Sequence, residues 1–282
     1  MKMLLAIAAQ RGFAVNHFDV CTAYLNSPLE EQIYMIQPPG FESGEPGQVY
    51  RLHKSIYGLK QSARNWNKCL NEALESMGFE SSIADSCLYI KGLGDKQELT
   101  LAFVDDLIYV AKTQDQVVKF AQCLEKHFRL KNLGPVQNYL GVQIERTVDG
   151  SFLLNQSSKI DQLLEYYRMV DCKEASTPME VGFLKDSQSE ENSKFESPEI
   201  YQSAIGSLLY LSQWSRPDLA YAVGLLYKEI AKPSQNAWVA VKRIFQYLKQ
   251  TKNFSLKLSS IGTEKNLSTD DVVTTDREGV LG

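Results

Sequence analysis

The sequence predicts an α+β fold in which an antiparallel sheet is backed by helices, and three observations carry that expectation. The run Leu99 to Val110 (LTLAFVDDLIYV) is almost unbroken apolar sequence with Asp105 and Asp106 at its middle, the pattern of two short buried strands and a bend. Phe13 to Val20 (FAVNHFDV) is a second β-rich segment, and it too runs out at a carboxylate, Asp19. Thr113 with Gln116 forms a capping box ahead of Val117, Phe120, Ala121, Leu124 and Phe128, one apolar helical face suited to packing on that sheet.

The remaining elements follow in chain order. Met1 to Ala9 mimics a short signal peptide, yet Leu4, Ile7 and Ala8 fall at helical spacing and Gly12 is a C-cap, so a helix is expected. Val136 to Glu145 and Ser151 to Asn155 read as strands joined through Asp149-Gly150, a hairpin signal. Ser157 to Met169 reads as a helix with Ile160, Leu163, Leu164 and Tyr167 inward. From Glu180 to Glu199 six acidic residues face two lysines, the composition of an exposed linker. Helices are expected at Pro198 to Leu211, Pro217 to Ile230 and Asn236 to Thr251, followed by an alternating strand through Phe254, Leu256 and Leu258.

Composition narrows the class. At 282 residues, 44% hydrophobic and 23% charged, the chain has the make-up of a globular protein with one large core or two subdomains. Its five cysteines are scattered with no CxxC, so neither a zinc site nor a disulfide framework is implied, and an intracellular, reduced setting is expected. No run approaches the ~18 apolar residues of a membrane span. A net charge of −4 is unlike a nucleic-acid binder, but Val49 to Leu70 carries Arg51, Lys54, Lys60, Arg64 and Lys68 with no acidic residue, interleaved with Tyr50, Tyr57 and Trp66. Such a segment can contact phosphates and stack on bases.

The aspartates carry the chemistry. Two-residue hairpins want positive φ and favour Asn-Gly or Gly-Gly, so Asp105-Asp106 is a poor local choice, and the two like charges repel. A cation removes the conflict: carboxylates are hard oxygen ligands suited to Mg²⁺. Asp19, brought alongside by sheet pairing, would complete a two-metal cage of the kind that holds ions about 3.5–4 Å apart for phosphoryl transfer.

Four further segments resemble a known family. Phe18 to Asn26 (FDVCTAYLN), Ile33-Tyr34-Met35 with Gln37 to Phe41, Ser55 to Gln61 (SIYGLKQ) and Phe103 to Asp106 together resemble the reverse transcriptase of copia-type long-terminal-repeat retrotransposons, in order and in spacing. The likeness continues through Leu133-Gly134-Pro135, Tyr139-Leu140-Gly141, Ser176 to Met179, Gly206 to Leu211 and Arg216-Pro217-Asp218, to about Leu258. It implies a right-hand polymerase: a palm, incomplete fingers, a thumb and a helical connection. The corresponding division is residues 1–179 as palm with partial fingers and the start of the thumb, 180–197 as acidic linker, 198–266 as connection, and 267–282 as a degenerate start of a ribonuclease H-like segment.

The resemblance also implies roles. Asp19 and Asp105 would ligate two Mg²⁺ ions, with Asp106 as the weaker carboxylate and the Val20 carbonyl completing one shell. Tyr24 would be the gate against a ribose 2′-hydroxyl, Gln61 would touch the incoming nucleotide, and Lys60 and Arg64 lie near it in sequence. Partners would be an RNA or DNA template with its primer, deoxynucleoside triphosphates, and other parts of a Pol polyprotein, with no membrane. The setting would be a cytoplasmic virus-like particle or the nucleus. Phe103 stands where the family usually has Tyr, and Ala63 replaces a usual proline. Met1 falls inside the helix before Asp19, so the upstream basic fingers segment is expected to be missing and primer extension by the chain alone to be weak. Two other classes fit parts of the sequence: a catalytically inactive remnant that binds nucleic acid or a protein, and a phospho-accepting receiver domain built on Asp105, Asp106 and Asp149. The latter places Asp149 in a polar turn with no buried strand before it and leaves the first hundred residues without a role.

Overall fold

In the computed structural model, which describes residues 1–45, 47–180, 183, 193–259 and 280–281, the chain divides into two compact units, Met1–Val136 and Gln137–Gly282. Both are mixed α/β, and their strand pairings are antiparallel apart from one short parallel pair.

The first unit opens with α1 (Lys2–Arg11), which ends at Gly12 with φ 67°, the left-handed C-cap that the glycine permits at no steric cost. Strands β1 (Ala14–Val20), β4 (Glu80–Ser81), β5 (Leu88–Lys91), β6 (Glu98–Phe103), β7 (Asp106–Ala111) and β8 (Leu130–Pro135) form a six-stranded sheet in the order β4-β5-β6-β7-β1-β8. A separate two-stranded ribbon joins β2 (Pro28–Ile36) to β3 (Val49–Lys54). Helices α2 (Ser62–Ser76) and α3 (Gln114–Leu124) contribute Trp66, Leu70 and Leu74, and Val117, Phe120 and Leu124, to a core shared with Phe18, Val20, Leu107 and Tyr109. Tyr109 and Phe120 stack with ring centroids 4.0 Å apart. The capping box forms as expected: the Thr113 hydroxyl accepts from the Gln116 N–H, and the Gln116 side chain accepts from the Thr113 N–H. Phe128, expected on that helix, lies four residues beyond its end but is buried in the same core.

The second unit holds β9 (Asn138–Tyr139), β10 (Val142–Arg146), β11 (Phe152–Asn155), β12 (Ser255–Leu258) and β13 (Val280–Leu281) in one sheet, with β13 parallel to β12. The strand expected over 136–145 is broken: Leu140 and Gly141 both take positive φ, 50° and 77°, and fold β9 back on β10. Helices α4 (Ser157–Tyr166), α5 (Pro198–Trp214), α6 (Ala220–Tyr227) and α7 (Gln235–Gln250) enclose a second core of Ile160, Leu163, Leu164, Ile205, Leu208, Val223, Ile244 and Phe245. The helix expected from Pro217 instead begins as a 3-10 turn, Pro217–Leu219, where proline fixes φ and supplies no N–H. Most of the acidic stretch read as a linker, and nearly all of 267–282, lie outside the described residues.

Candidate active site

Sheet order, more than local sequence, assembles the acidic site. β1 lies between β7 and β8, so Asp19 is the cross-strand partner of Asp106 on one side and of Lys131 on the other. Asp106 in turn faces Phe103 on β6. Directly opposed residues in antiparallel strands point to the same face, so Phe103, Asp106, Asp19 and Lys131 form one row across four strands. The opposite face of β1 carries Phe18 and Val20 into the core, and that burial pins the register.

Asp105 occupies the turn between β6 and β7. The residue with positive φ in this two-residue turn is Val104, at 55°, a costly conformation for a β-branched side chain. Two hydrogen bonds hold it. The Val20 N–H donates to the Asp105 carbonyl at 2.8 Å, and the indole N–H of buried Trp66 donates to the Val104 carbonyl at 2.6 Å. The bend falls one residue earlier than expected, at Val104-Asp105 rather than Asp105-Asp106, and Asp106 is already the first residue of β7.

Each carboxylate has its own partner. The Asp106 Oδ1 lies 2.9 Å from His17 Nε2, the Asp19 Oδ1 lies 3.3 Å from Lys131 Nζ, and the Tyr57 hydroxyl donates to Asp105 Oδ2 at 3.3 Å. Tyr57 is 63% exposed, and its ring sits 4.4 Å from that of Tyr24. Desolvation, then the charge and hydrogen bond of Asp105, raise the Tyr57 phenol above its ordinary range, with smaller contributions from Tyr24 and Asp19. The phenol is therefore a firm donor at neutral pH.

The sequence-predicted residues divide accordingly. Asp19, Val20, Asp105 and Asp106 are brought together at the ends of β1 and β7, and Tyr24, in a 3-10 turn after β1, reaches them through Tyr57. Gln61 sits at the N-cap of α2 with no side-chain capping bond, Lys60 and Arg64 are exposed, and no described contact joins these three to the aspartates. His17, Tyr57, Trp66 and Lys131 are site neighbours that sequence reading missed. His17, two residues before Asp19 and hence on its face, carried a usable signal. Tyr57 and Trp66 lay within the basic, aromatic segment already singled out, whereas nothing local marked Lys131.

By donor chemistry the carboxylates suit a hard cation such as Mg²⁺. Among the described residues, however, no group of three or more His, Cys, Asp or Glu side chains is arranged to hold a metal ion. Of the expected cage the structure shows three neighbouring aspartates, each with a partner of its own in His17, Lys131 or Tyr57.

Comparison with known proteins gives the chain a family. The family model for reverse transcriptase (RNA-dependent DNA polymerase) matches residues 1–181, which include all of the site just described. The chain is 37% identical over 261 residues to the retrovirus-related Pol polyprotein from transposon TNT 1-94 of Nicotiana tabacum, covering 89% of this chain and 19% of that protein. It is 32% identical over 264 residues to the Pol polyprotein from transposon RE2 of Arabidopsis thaliana, covering 93% and 18%. A transposon Ty5-1 protein of Saccharomyces cerevisiae is 31% identical over 243 residues, covering 86% of this chain and 78% of its own length. The chain therefore spans about a fifth of the two plant polyproteins. Among the described residues no helix is long and apolar enough to cross a membrane. The chain belongs to the reverse transcriptase (RNA-dependent DNA polymerase) family, in the branch carried by copia-type retrotransposons.

Proposed function

We propose that the chain supplies the palm of an RNA-directed DNA polymerase and carries out two-metal nucleotidyl transfer at Asp19, Asp105 and Asp106. The observation that carries this reading is the direct cross-strand pairing of Asp19 with Asp106, with Asp105 in the adjoining turn, inside the segment matched to the family. Residues 1–179 would be palm with partial fingers and the start of the thumb, 180–197 a linker and 198–266 the connection.

Asp19 and Asp105 would hold two Mg²⁺ ions, with Asp106 in support and the Val20 carbonyl as a further oxygen. When bound, the ions neutralise charge on the triphosphate and lower the pKa of the primer 3′-hydroxyl. The chain's own part is positioning. The Trp66 and Val20 hydrogen bonds fix the turn that presents Asp105, and Tyr24, backed by Tyr57, would exclude a ribose 2′-hydroxyl. Lys60, Gln61 and Arg64 would meet the nucleotide or template. In the step itself the primer 3′-oxygen forms a bond to the α-phosphorus of a deoxynucleoside triphosphate, the bond to the β-phosphate oxygen breaks, and pyrophosphate leaves.

A second reading, a catalytically inactive remnant that binds nucleic acid or a polyprotein partner, is favoured by one observation: all three carboxylates are engaged by His17, Lys131 and Tyr57. One experiment separates the two. Primer extension on an RNA template with Mg²⁺ is measured for the wild type and for Asp105→Asn, alongside primer–template binding and circular dichroism. Extension that falls by about 10²-fold or more in the folded variant supports the polymerase. Binding without extension by the wild type supports the remnant, and extension that survives Asp105→Asn refutes the site.

A further inference from the structure

The second unit contains a cavity of about 550 Å³ that the catalytic reading does not use. One wall is α7, whose Asn236, Val239, Ala240 and Arg243 follow the i, i+3, i+4, i+7 spacing of a single helical stripe. The facing wall comes from Met169 and Lys173 after α4, with Glu180 and Phe183 beyond them. The α7 wall lies outside the segment matched to the reverse transcriptase model.

Its electrostatics are unbalanced. Lys173, Lys242 and Arg243 line the cavity against a single carboxylate, Glu180. Arg243 donates through Nη1 to Glu180 Oε1 at 2.7 Å and through Nη2 to the Thr177 hydroxyl at 3.1 Å, which fixes the guanidinium plane. Its Nε–H is buried without an acceptor. A buried donor left unpaired is destabilising, and such an orphan calls for an acceptor. Among the described residues neither Lys173 nor Lys242 has an ion-pair partner. Much of the remaining lining, in contrast, is apolar: Met169, Phe183, Val239 and Ala240. Val239 is 52% exposed although it is a large aliphatic side chain on a helix.

Cationic and apolar side chains together, in a volume suited to a small ligand, match one chemistry best. A phosphate group can neutralise converging lysines and an arginine, and an attached nucleobase can lie flat against apolar and aromatic side chains. We propose that this cavity binds the phosphate of a nucleotide, with Lys173, Lys242 and Arg243 on the phosphate and Met169, Phe183 and Val239 against the base. The ligand is a nucleotide either free or within a single strand, and the site works independently of the aspartates of the first unit.

The test uses the whole chain without divalent metal, which silences the acidic site. Binding of two probes, a fluorescent ATP analogue and a fluorescein-labelled oligo(dT), is followed by anisotropy. The proteins are wild type, Lys173→Glu/Lys242→Glu, Val239→Trp and Asp105→Asn. The two lysines and Val239 are solvent-accessible, so the variants should keep the wild-type circular dichroism. Val239→Trp fills the cavity without changing charge, and so separates the cavity from a general loss of positive potential. The expected result is binding that falls about tenfold or more in the double reversal and in Val239→Trp but is unchanged in Asp105→Asn. Loss of ATP-analogue binding assigns a free nucleotide. Loss confined to oligo(dT), with a salt slope smaller by about one to two, assigns a strand. Binding of neither probe by the wild type, or affinities in the double reversal and in Val239→Trp within twofold of the wild type, would overturn the proposal. Because none of these outcomes requires primer extension, failure here leaves the polymerase reading standing, and failure of that reading leaves this one standing.

Discussion

Trp66 on α2 donates its indole N–H to the carbonyl oxygen of Val104 at 2.6 Å, and Val104 is the residue held at φ 55° immediately before the aspartate pair. A helix on one side of the sheet thus clamps a strained turn whose other side presents Asp105. Trp66→Phe keeps an aromatic ring but leaves that carbonyl without its donor. The variant should unfold about 1–3 kcal/mol more easily in urea. An unchanged denaturation midpoint would show that the turn does not depend on the clamp.

Lys131 pairs with Asp19 and would compete with a metal cation in the proposed site. It is 66% exposed, so the pair is screened and worth no more than about 1 kcal/mol. Lys131→Met should therefore tighten Mn²⁺ binding only about two- to fivefold, measured by titration of the free-ion paramagnetic signal. Weaker binding in the variant would mean that Lys131 holds the carboxylate in a receptive position rather than blocking it.

Arg216, at the Arg-Pro-Asp segment, is fully buried. Its guanidinium donates to both Asp218 oxygens at 3.0 and 2.7 Å and to the Thr251 carbonyl and hydroxyl at 3.0 and 2.7 Å, between the rings of Tyr247 and Phe254. Arg216→Met removes every donor and strands Asp218, a loss of about 3–5 kcal/mol. Arg216→Lys should recover little of it, because an ammonium cannot reproduce the fork. Equal stability of Arg216→Lys and wild type would contradict this geometry.

The turn between β9 and β10 is constrained twice. Gly141 holds φ 77°, and a Cβ there would approach the Tyr210 hydroxyl to 3.0 Å, while that hydroxyl donates to the Leu140 carbonyl. Gly141→Ala should cost about 1–3 kcal/mol in thermal or chemical denaturation. In a Tyr210→Phe background the same substitution should cost less, since the clashing oxygen has gone. Strict additivity of the two changes would show that only backbone strain is at work.

The Tyr109 hydroxyl donates to Glu98 Oε2 at 2.6 Å. Burial first, then the Glu98 hydrogen bond and charge, raise its pKa well above the ordinary 10.0. The sign follows: the unfolded chain loses this proton near pH 10 while the folded one retains it. Stability from Tyr109 is therefore fully present below pH 10 and declines as pH rises beyond it. The unfolding midpoint should fall between pH 10 and 11, and fall less steeply in Tyr109→Phe. Parallel slopes would rule out Tyr109 as a contributor.

What the sequence displayed depended on the distance between the determinants. The Thr113–Gln116 box, the Gly12 cap and the two strands around Asp105 are written within a few residues of one another, and each formed where expected. The neighbours of the acidic residues are not written locally. Lys131 reaches Asp19 only because β1 inserts between β7 and β8, and Tyr57 reaches Asp105 only through the fold of the segment between β3 and α2. The Leu140-Gly141 break was hidden by an apolar run whose glycine left both a bulge and a turn open. Alternation located the strand ends that bear carboxylates, but could not say which way each side chain turns.

The position of β1 between β7 and β8 sets a schedule for biogenesis. The strand carrying Asp19 leaves the ribosome well before its partners β7 and β8, which are encoded far downstream, and Asp19 faces Asp106 across that gap. At synthesis speeds of about 5–20 residues per second, a separation of roughly 90 residues leaves β1 without either neighbour for on the order of ten seconds. Through that interval Phe18 and Val20, later fully enclosed, have no sheet to join. The acidic site is therefore completed only after the chain has passed Leu130, and until then Phe18 and Val20 are apolar surface open to misassociation.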